Sequence, residues 1–279
     1  MLTRRSVLGS IAAAPAILRA GAASAEPGPP RQARAAGMTT LAYADDFDSM
    51  STIDVTGKAK AHGQYKWYNA GDYAGPRNAY SVRDSMLTIA VPAGGAAAEI
   101  GTCNARHAGV SFQYFYAESR FAWEPVDNNW PCFWGICIEH FDGTGDGGLG
   151  MELDVVEMGG RSFIPGSGSS PGMLTTLHTT APGAPTVNKH SFGVKLDFDP
   201  KQLNTYGALW VPGRVMWYFN DRLISSYDYH QPYWDGPHNH IALGFGSNGA
   251  WPNSSPPAWK MHVDWVRIWT GSMSSIRRS

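Results

Sequence analysis

An all-β sandwich or jelly roll is the fold class this sequence predicts, and three observations carry that reading. Short β-type runs recur from about residue 40 to 271, clusters rich in Gly, Asp, Ser and Pro separate them, and no segment shows the 3.6-residue period of a long amphipathic helix. The composition agrees, with 43% apolar, 12% aromatic and only 16% charged residues, and with 32 Gly, 19 Pro and 11 Trp in 279 residues. One all-β domain, which can reach roughly 200–250 residues, accommodates that length.

The first 25 residues stand outside the fold. Thr3-Arg4-Arg5-Ser6 is a twin-arginine start, an apolar run reaches Leu18, and Ala23-Ser24-Ala25 offers a small-residue cleavage site. This is the layout of an export signal, too short to span a bilayer, and it predicts a periplasmic or extracellular bacterial protein. Removing its three arginines (Arg4, Arg5, Arg19) and no acid from 22 basic and 23 acidic residues moves the net charge from −1 to −4. Neither value favours nucleic acid as a partner. No other segment is long and apolar enough for a membrane helix. Residues 26–38, rich in Pro, Gly and Ala without periodicity, read as a disordered leader.

The domain is expected over 39–271. Its β-type runs are 86–91, 114–123, 133–139, 150–158, 173–178, 215–219, 223–229, 241–245 and 261–269. Asn220-Asp221 between two of them predicts a tight hairpin turn. There is no internal repeat, and the last eight residues, 272–279, read as a frayed tail. Cys103, Cys132 and Cys137 form no disulfide framework and have no metal-ligand spacing. Cys132 and Cys137 are five apart in one run, so a regular strand sends them to opposite faces and they should not pair. All three read as small buried hydrophobes.

The chemistry concentrates in Glu152-Leu153-Asp154-Val155-Val156-Glu157. Side chains alternate faces along a strand, so Glu152 and Asp154 share one face, and a regular strand would aim Glu157 at the other. A β-bulge at Val155-Val156 adds one residue and returns Glu157 to the side of its partners. One face then carries three carboxylates and the other carries Leu153 and a valine. Paired carboxyls are the apparatus of glycoside hydrolysis, and an Asp between them separates their pKa values.

The six residues resemble the E-x-D-x-x-E strand of glycoside hydrolase family 16, in the bulged form of laminarinases, agarases and carrageenases. The flanks resemble the family in order along nearly all of the mature chain. Tyr114 to Arg120 (YFYAESR) is similar to its Y-G-x-x-E-x-R strand, Trp130 to Trp134 (WPCFW) to its W-P-A-x-W segment, and Leu177-His178-Thr179 to its His-Thr strand. Tyr206 to Trp210, Trp217 to Asp221, and Val263 to Trp269 (VDWVRIW) resemble its later strands. Phe115 and Asn204 depart from the pattern, where the family has Gly and often His.

The resemblance implies a concanavalin-like jelly-roll sandwich of two antiparallel sheets, with the acids on the floor of an open cleft. It implies Glu152 as nucleophile, Glu157 as acid/base and Asp154 as their support. Which Glu does which does not follow from the residues alone. Trp130, Trp134 and Trp251 are expected to stack on sugar faces, since sugar rings present apolar faces to aromatic side chains. Glu118, Arg120 and His178 are expected to reach sugar hydroxyls, although Glu118 and Arg120 share a strand face and could pair with each other. Trp210, Trp217, Trp265 and Trp269 read as core. Asp264 matches a structural calcium position of some members, and catalysis itself implies no cofactor.

The expected protein is a monomeric, exported, retaining endo-glycosidase acting on a β-linked polysaccharide, with β-1,3- or β-1,3-1,4-glucan as the first substrate. A galactan such as agarose, a transglycosylase using the same acids, and a non-catalytic carbohydrate-binding jelly roll stay open. Sulfated polymers would call for a basic cleft, and Arg77, Arg106, Arg120 and Arg161 are the few candidates.

Overall fold

The computed structural model describes residues 28–69, 77–94, 97–104, 107–126, 128–140, 151–157, 172–179, 188–195, 198–229, 235–236, 239–247 and 255–278. The expected export signal lies outside them. The strands, in chain order, begin with Thr40–Asp45 (β1), Ile53–Asp54 (β2), Trp67–Asn69 (β3), Tyr80–Val82 (β4), Leu87–Val91 (β5) and Ala98–Gly101 (β6). Val110–Gln113 (β7), Phe115–Trp123 (β8), Pro131–Cys137 (β9), Met151–Glu157 (β10), Gly172–Thr179 (β11) and Asn188–Lys195 (β12) follow. Asn204–Val211 (β13), Arg214–Phe219 (β14), Arg222–Asp228 (β15), Ile241–Ser247 (β16), Trp259–Thr270 (β17) and Ser275–Arg278 (β18) complete the set.

Two sheets result. One runs β15-β14-β13-β8-β17-β5-β4, with β1 added at β17. The other runs β12-β11-β10-β9-β16-β6-β3-β2, with β7 added at β16 and β18 at β7. Every pairing is antiparallel except β2 with β3. The crossovers bring chain-distant strands together, so β8 sits between β13 and β17.

Alternation along the strands builds the core. In β5 Leu87, Ile89 and Val91 are buried while Thr88 and Ala90 are half-buried, the period-2 pattern of a strand with one face inward. Phe121, Tyr206 and Trp217 of the first sheet meet Phe133, Leu153, Val155 and Phe245 of the second in one core. Phe121 stacks on Tyr206 at 4.3 Å and Phe133 on Phe245 at 4.7 Å, the ring spacings aromatic pairs favour. Trp210, Trp217 and Trp269 are buried as expected, whereas Trp265 is half-buried with the Arg267 guanidinium over its ring. The hairpin turn predicted at Asn220-Asp221 is present, both residues having positive φ (44° and 62°), as a tight two-residue turn requires. The three cysteines are all buried, and none is in a disulfide.

Both chain ends differ from expectation. From Arg31 the expected leader is folded. Arg31–Ala35 form a short helix (α1), Ala33 and Met38 are fully buried, and the Gln32 amide donates to Tyr116 Oη at 2.7 Å and Asp221 Oδ1 at 3.0 Å. The expected tail contains β18, hydrogen-bonded along β7. In both cases a composition too poor to form a core of its own is ordered by docking onto one that already exists.

Candidate active site

β10 lies inside the second sheet, between β9 and β11. Its register shows the bulge directly. Asp154 pairs with Trp134, Val156 with Phe133 and Glu157 with Cys132, so two β10 residues past Asp154 oppose one β9 step. Cross-strand partners share a face. Trp134 and Cys132 are two apart, so Asp154 and Glu157 face the same side. Leu153, Val155 and Val156 are fully buried on the core side. The bulge disturbs the ladder, and the Asp154 carbonyl there accepts the Trp217 indole N–H at 2.8 Å from across the core.

Three side chains then converge on the acids. His178 is the β11 partner of Glu152, and its Nε2 is 3.2 Å from Asp154 Oδ2 and 3.6 Å from Glu152 Oε1. Asp154 is 1% exposed whereas the Glu152 side chain is 31% exposed, so the Asp is buried and the Glu is open to solvent. Glu152, Asp154 and His178 offer donor atoms within 4.8 Å of one another, a spacing that could hold a cation, and among the described residues no other such group occurs. The indole N–H of Trp130 donates to Glu157 Oε1 at 2.9 Å. Trp130 therefore engages Glu157 through its polar edge. Trp134 is buried beside Asp154 and forms part of the floor.

Glu99 joins this floor without having been singled out in the sequence. It lies on β6, beyond β16, and a Cβ at Gly244 would come within 2.8 Å of its Oε1, so the glycine makes room for it. Burial drives its carboxyl well above the usual carboxylate range, the Trp134 indole works in the opposite direction, and the charge of Glu152 adds to the rise. Its only signal in the sequence is an acid inside the apolar run Ala96-Ala97-Ala98-Glu99-Ile100.

No family model matches the chain. Among curated proteins it is similar to the endo-1,3-1,4-beta-glycanase ExsH of Rhizobium meliloti (strain 1021), 27% identical over 221 residues, covering 75% of this chain and 44% of that protein. Among solved structures it is similar to the laminarinase from Flavobacterium sp. UMI-01, with a TM-score of 0.59 and 17% identity over 83% of this chain and 100% of that one. It is also similar to a mixed-linkage-glucan glycoside hydrolase family 16 protein of Bacteroides ovatus in complex with a G4G4G3G product. There the TM-score is 0.56 and the identity 15%, over 81% of this chain and 99% of the other. In this chain the bulged E-x-D-x-x-E strand is β10, inside the second sheet. The chain shares the fold of these proteins, and its β10 carries an E-x-D-x-x-E strand like that of glycoside hydrolase family 16. It spans about half the length of the curated relatives it matches.

Other expected residues lie elsewhere. Glu118 and Arg120 are on β8, in the sheet opposite β10, so neither reaches the cleft. Phe115, Ala117 and Phe121 turn to the core, and Glu118 and Arg120 share the other face. They do not pair with each other. Tyr116 Oη donates to Glu118 Oε2 at 2.9 Å, and Arg120 Nε is 3.3 Å from Asp264 Oδ2. That second contact bears on the calcium expected at Asp264. The guanidinium already supplies the positive charge a calcium would bring, and a calcium cage needs six to eight oxygens. Asp264, 3% exposed beside Arg120, does not fit such a cage. Trp251, Arg106 and Arg161 lie outside the described residues, and Arg77 opens a short 3-10 turn before β4.

An ordinary hydrogen bond contributes roughly 0.5–1.5 kcal/mol. Trp130→Phe keeps the ring and loses the N–H to Glu157, so kcat/KM should fall roughly 2–10-fold while the melting temperature stays within a few degrees. Steady-state kinetics with a thermal melt checks this, and an unchanged kcat/KM would show that the contact is idle.

Proposed function

We propose that the chain is a retaining endo-β-glucanase that hydrolyses β-1,3-1,4- or β-1,3-linked glucan by double displacement. The observation that carries this is the bulge in β10, which sets Glu152, Asp154 and Glu157 on one open face. Glu152, the exposed acid, attacks the anomeric carbon. Glu157, with Trp130 on its Oε1, protonates the departing oxygen and then activates water. Asp154, buried and in contact with His178, holds Glu152 in line and keeps negative charge in place beneath the site. The name of the Rhizobium meliloti relative supports the mixed-linkage substrate. The twin-arginine start and the Ala23-Ser24-Ala25 site support export. No described helix is long and apolar enough to cross a membrane.

The test is the anomeric configuration of the first product. Proton NMR early in lichenan and laminarin hydrolysis should show the β-anomer before mutarotation. Early α-product would overturn the mechanism, and activity confined to agarose or carrageenan would overturn the substrate.

A further inference from the structure

A second reactive cluster stands at one end of the cleft sheet. Glu139 lies in the turn after β9, His240 just precedes β16, and Ser275 opens β18. Neighbouring strands bring the first two together, with the Ile138 N–H donating to the His240 carbonyl at 3.0 Å. β7 carries the third to them, because it pairs with both β18 and β16. His240 Nε2 is 2.9 Å from Ser275 Oγ, and His240 Nδ1 is 3.0 Å from Glu139 Oε1. With the Nδ1–H given to the carboxylate, Nε2 is the acceptor facing the hydroxyl.

Burial is graded in the direction a nucleophile needs. The Glu139 side chain is 7% exposed, His240 12%, and Ser275 is exposed. Burial would raise the Glu139 carboxyl, yet hydrogen bonds from the His240 ring, the Cys137 thiol and the His240 backbone N–H hold it below its usual range, as an anion. Arg277 shares the β18 face with Ser275 and places Nη1 3.2 Å from Glu139 Oε1, adding a positive charge to the cluster. Ser275 Oγ is also 3.2 Å from Gln113 Oε1, an alternative acceptor for its proton. A hydroxyl, a bridging imidazole and a buried carboxylate in this order form an acyl-transfer triad, which is recognised by geometry whatever the fold.

We propose that Ser275, His240 and Glu139 form a second hydrolytic site that cleaves acyl esters, with short O-acyl groups on a glycan as the substrate class. Ser275 Oγ attacks the acyl carbonyl carbon as His240 Nε2 takes its proton. The C–O bond to the sugar breaks, and His240 returns the proton to the leaving oxygen, freeing a sugar hydroxyl. Water then attacks the acyl-serine with His240 as base, releasing the carboxylic acid and restoring Ser275. The glycan part rests on the glucanase reading. Ile136, three residues before Glu139, is the register partner of Glu152, so the triad lies roughly 10 Å along the strand from the nucleophile. The ester chemistry stands without that reading.

The experiment uses the full chain, a fluorophosphonate probe, p-nitrophenyl acetate, and an acetylated β-glucan. The probe should label Ser275, located by peptide mass spectrometry. Ser275→Ala should lower p-nitrophenyl acetate turnover at least about 100-fold with glucan hydrolysis unchanged. Acetate should be released from the acetylated glucan. Labelling of the unaltered protein reads the serine directly, so a variant that disturbs β18 does not blunt the test. No label on Ser275, or equal ester turnover with and without its hydroxyl, overturns the triad. Labelling without acetate release overturns the glycan substrate, whatever the outcome on unacetylated glucan.

Discussion

Glu152→Ala should abolish β-glucan hydrolysis, by on the order of 10⁴-fold or more, with the fold intact. Glu152 is the exposed member of the acid group, and Asp154 beneath it is 1% exposed and faces His178, so no neighbouring carboxylate takes its place at the anomeric carbon. The side chain removed leaves a space beside the sugar. Azide added to the variant should enter it and restore turnover, giving a glycosyl azide of inverted configuration. Glu157→Ala should differ in kind. Natural glucans, with poor leaving groups, lose protonation and should slow most. An activated aryl glycoside should still form the covalent intermediate and then stall, giving a burst equal to the enzyme concentration. Full activity of Glu152→Ala without azide would remove the assignment, and swapped phenotypes would exchange the two roles.

The second large effect concerns stability. Glu118 is buried on the outer face of β8, and its carboxyl is pushed up to about 7 from 4.5. Burial is the main cause. The Tyr116 hydroxyl opposes it, the charge of Asp221 adds to it, and Arg267 opposes it. A carboxyl that holds its proton more tightly folded than unfolded makes the folded state bind more protons between the two values. Stability is then fully present below pH 4.5 and is lost as pH rises through about 7. The interval corresponds to on the order of 3 kcal/mol. Glu118→Gln keeps a neutral partner for Tyr116 and removes the titration. Its melting temperature should match the unaltered protein at pH 4 and exceed it at pH 8 by roughly 5–10 °C. Calorimetry across pH 4–8 checks this, and a constant offset between the two curves would show that Glu118 is not the group responsible.

Glu118 also shows where sequence reading stopped. Its spacing from Arg120 put both on one strand face, which is correct, but spacing does not say which sheet a strand joins. Placement of β8 between β13 and β17 turned that face away from the cleft. Asp264 went the same way, since its partner Arg120 comes from a strand far off in the chain. The folded leader and tail were invisible for a related reason. Neither α1 nor β18 buries enough apolar surface to form alone, and each is ordered by a surface that other segments build.

What the sequence by itself determined is local and periodic. Alternation marked nine of the strands, the positive-φ turn residues marked one hairpin, and one residue too many between Asp154 and Glu157 marked the bulge and with it the catalytic face. These are properties of consecutive residues, governed by a fixed two-residue period and by backbone sterics. What only the tertiary structure decided is which strands lie side by side. His178 beside Asp154, Glu99 beneath Gly244, and Ser275, His240 and Glu139 in one line join positions up to 145 residues apart only through sheet order. No period along the chain records those contacts, because they are fixed by how two sheets cover each other's apolar faces.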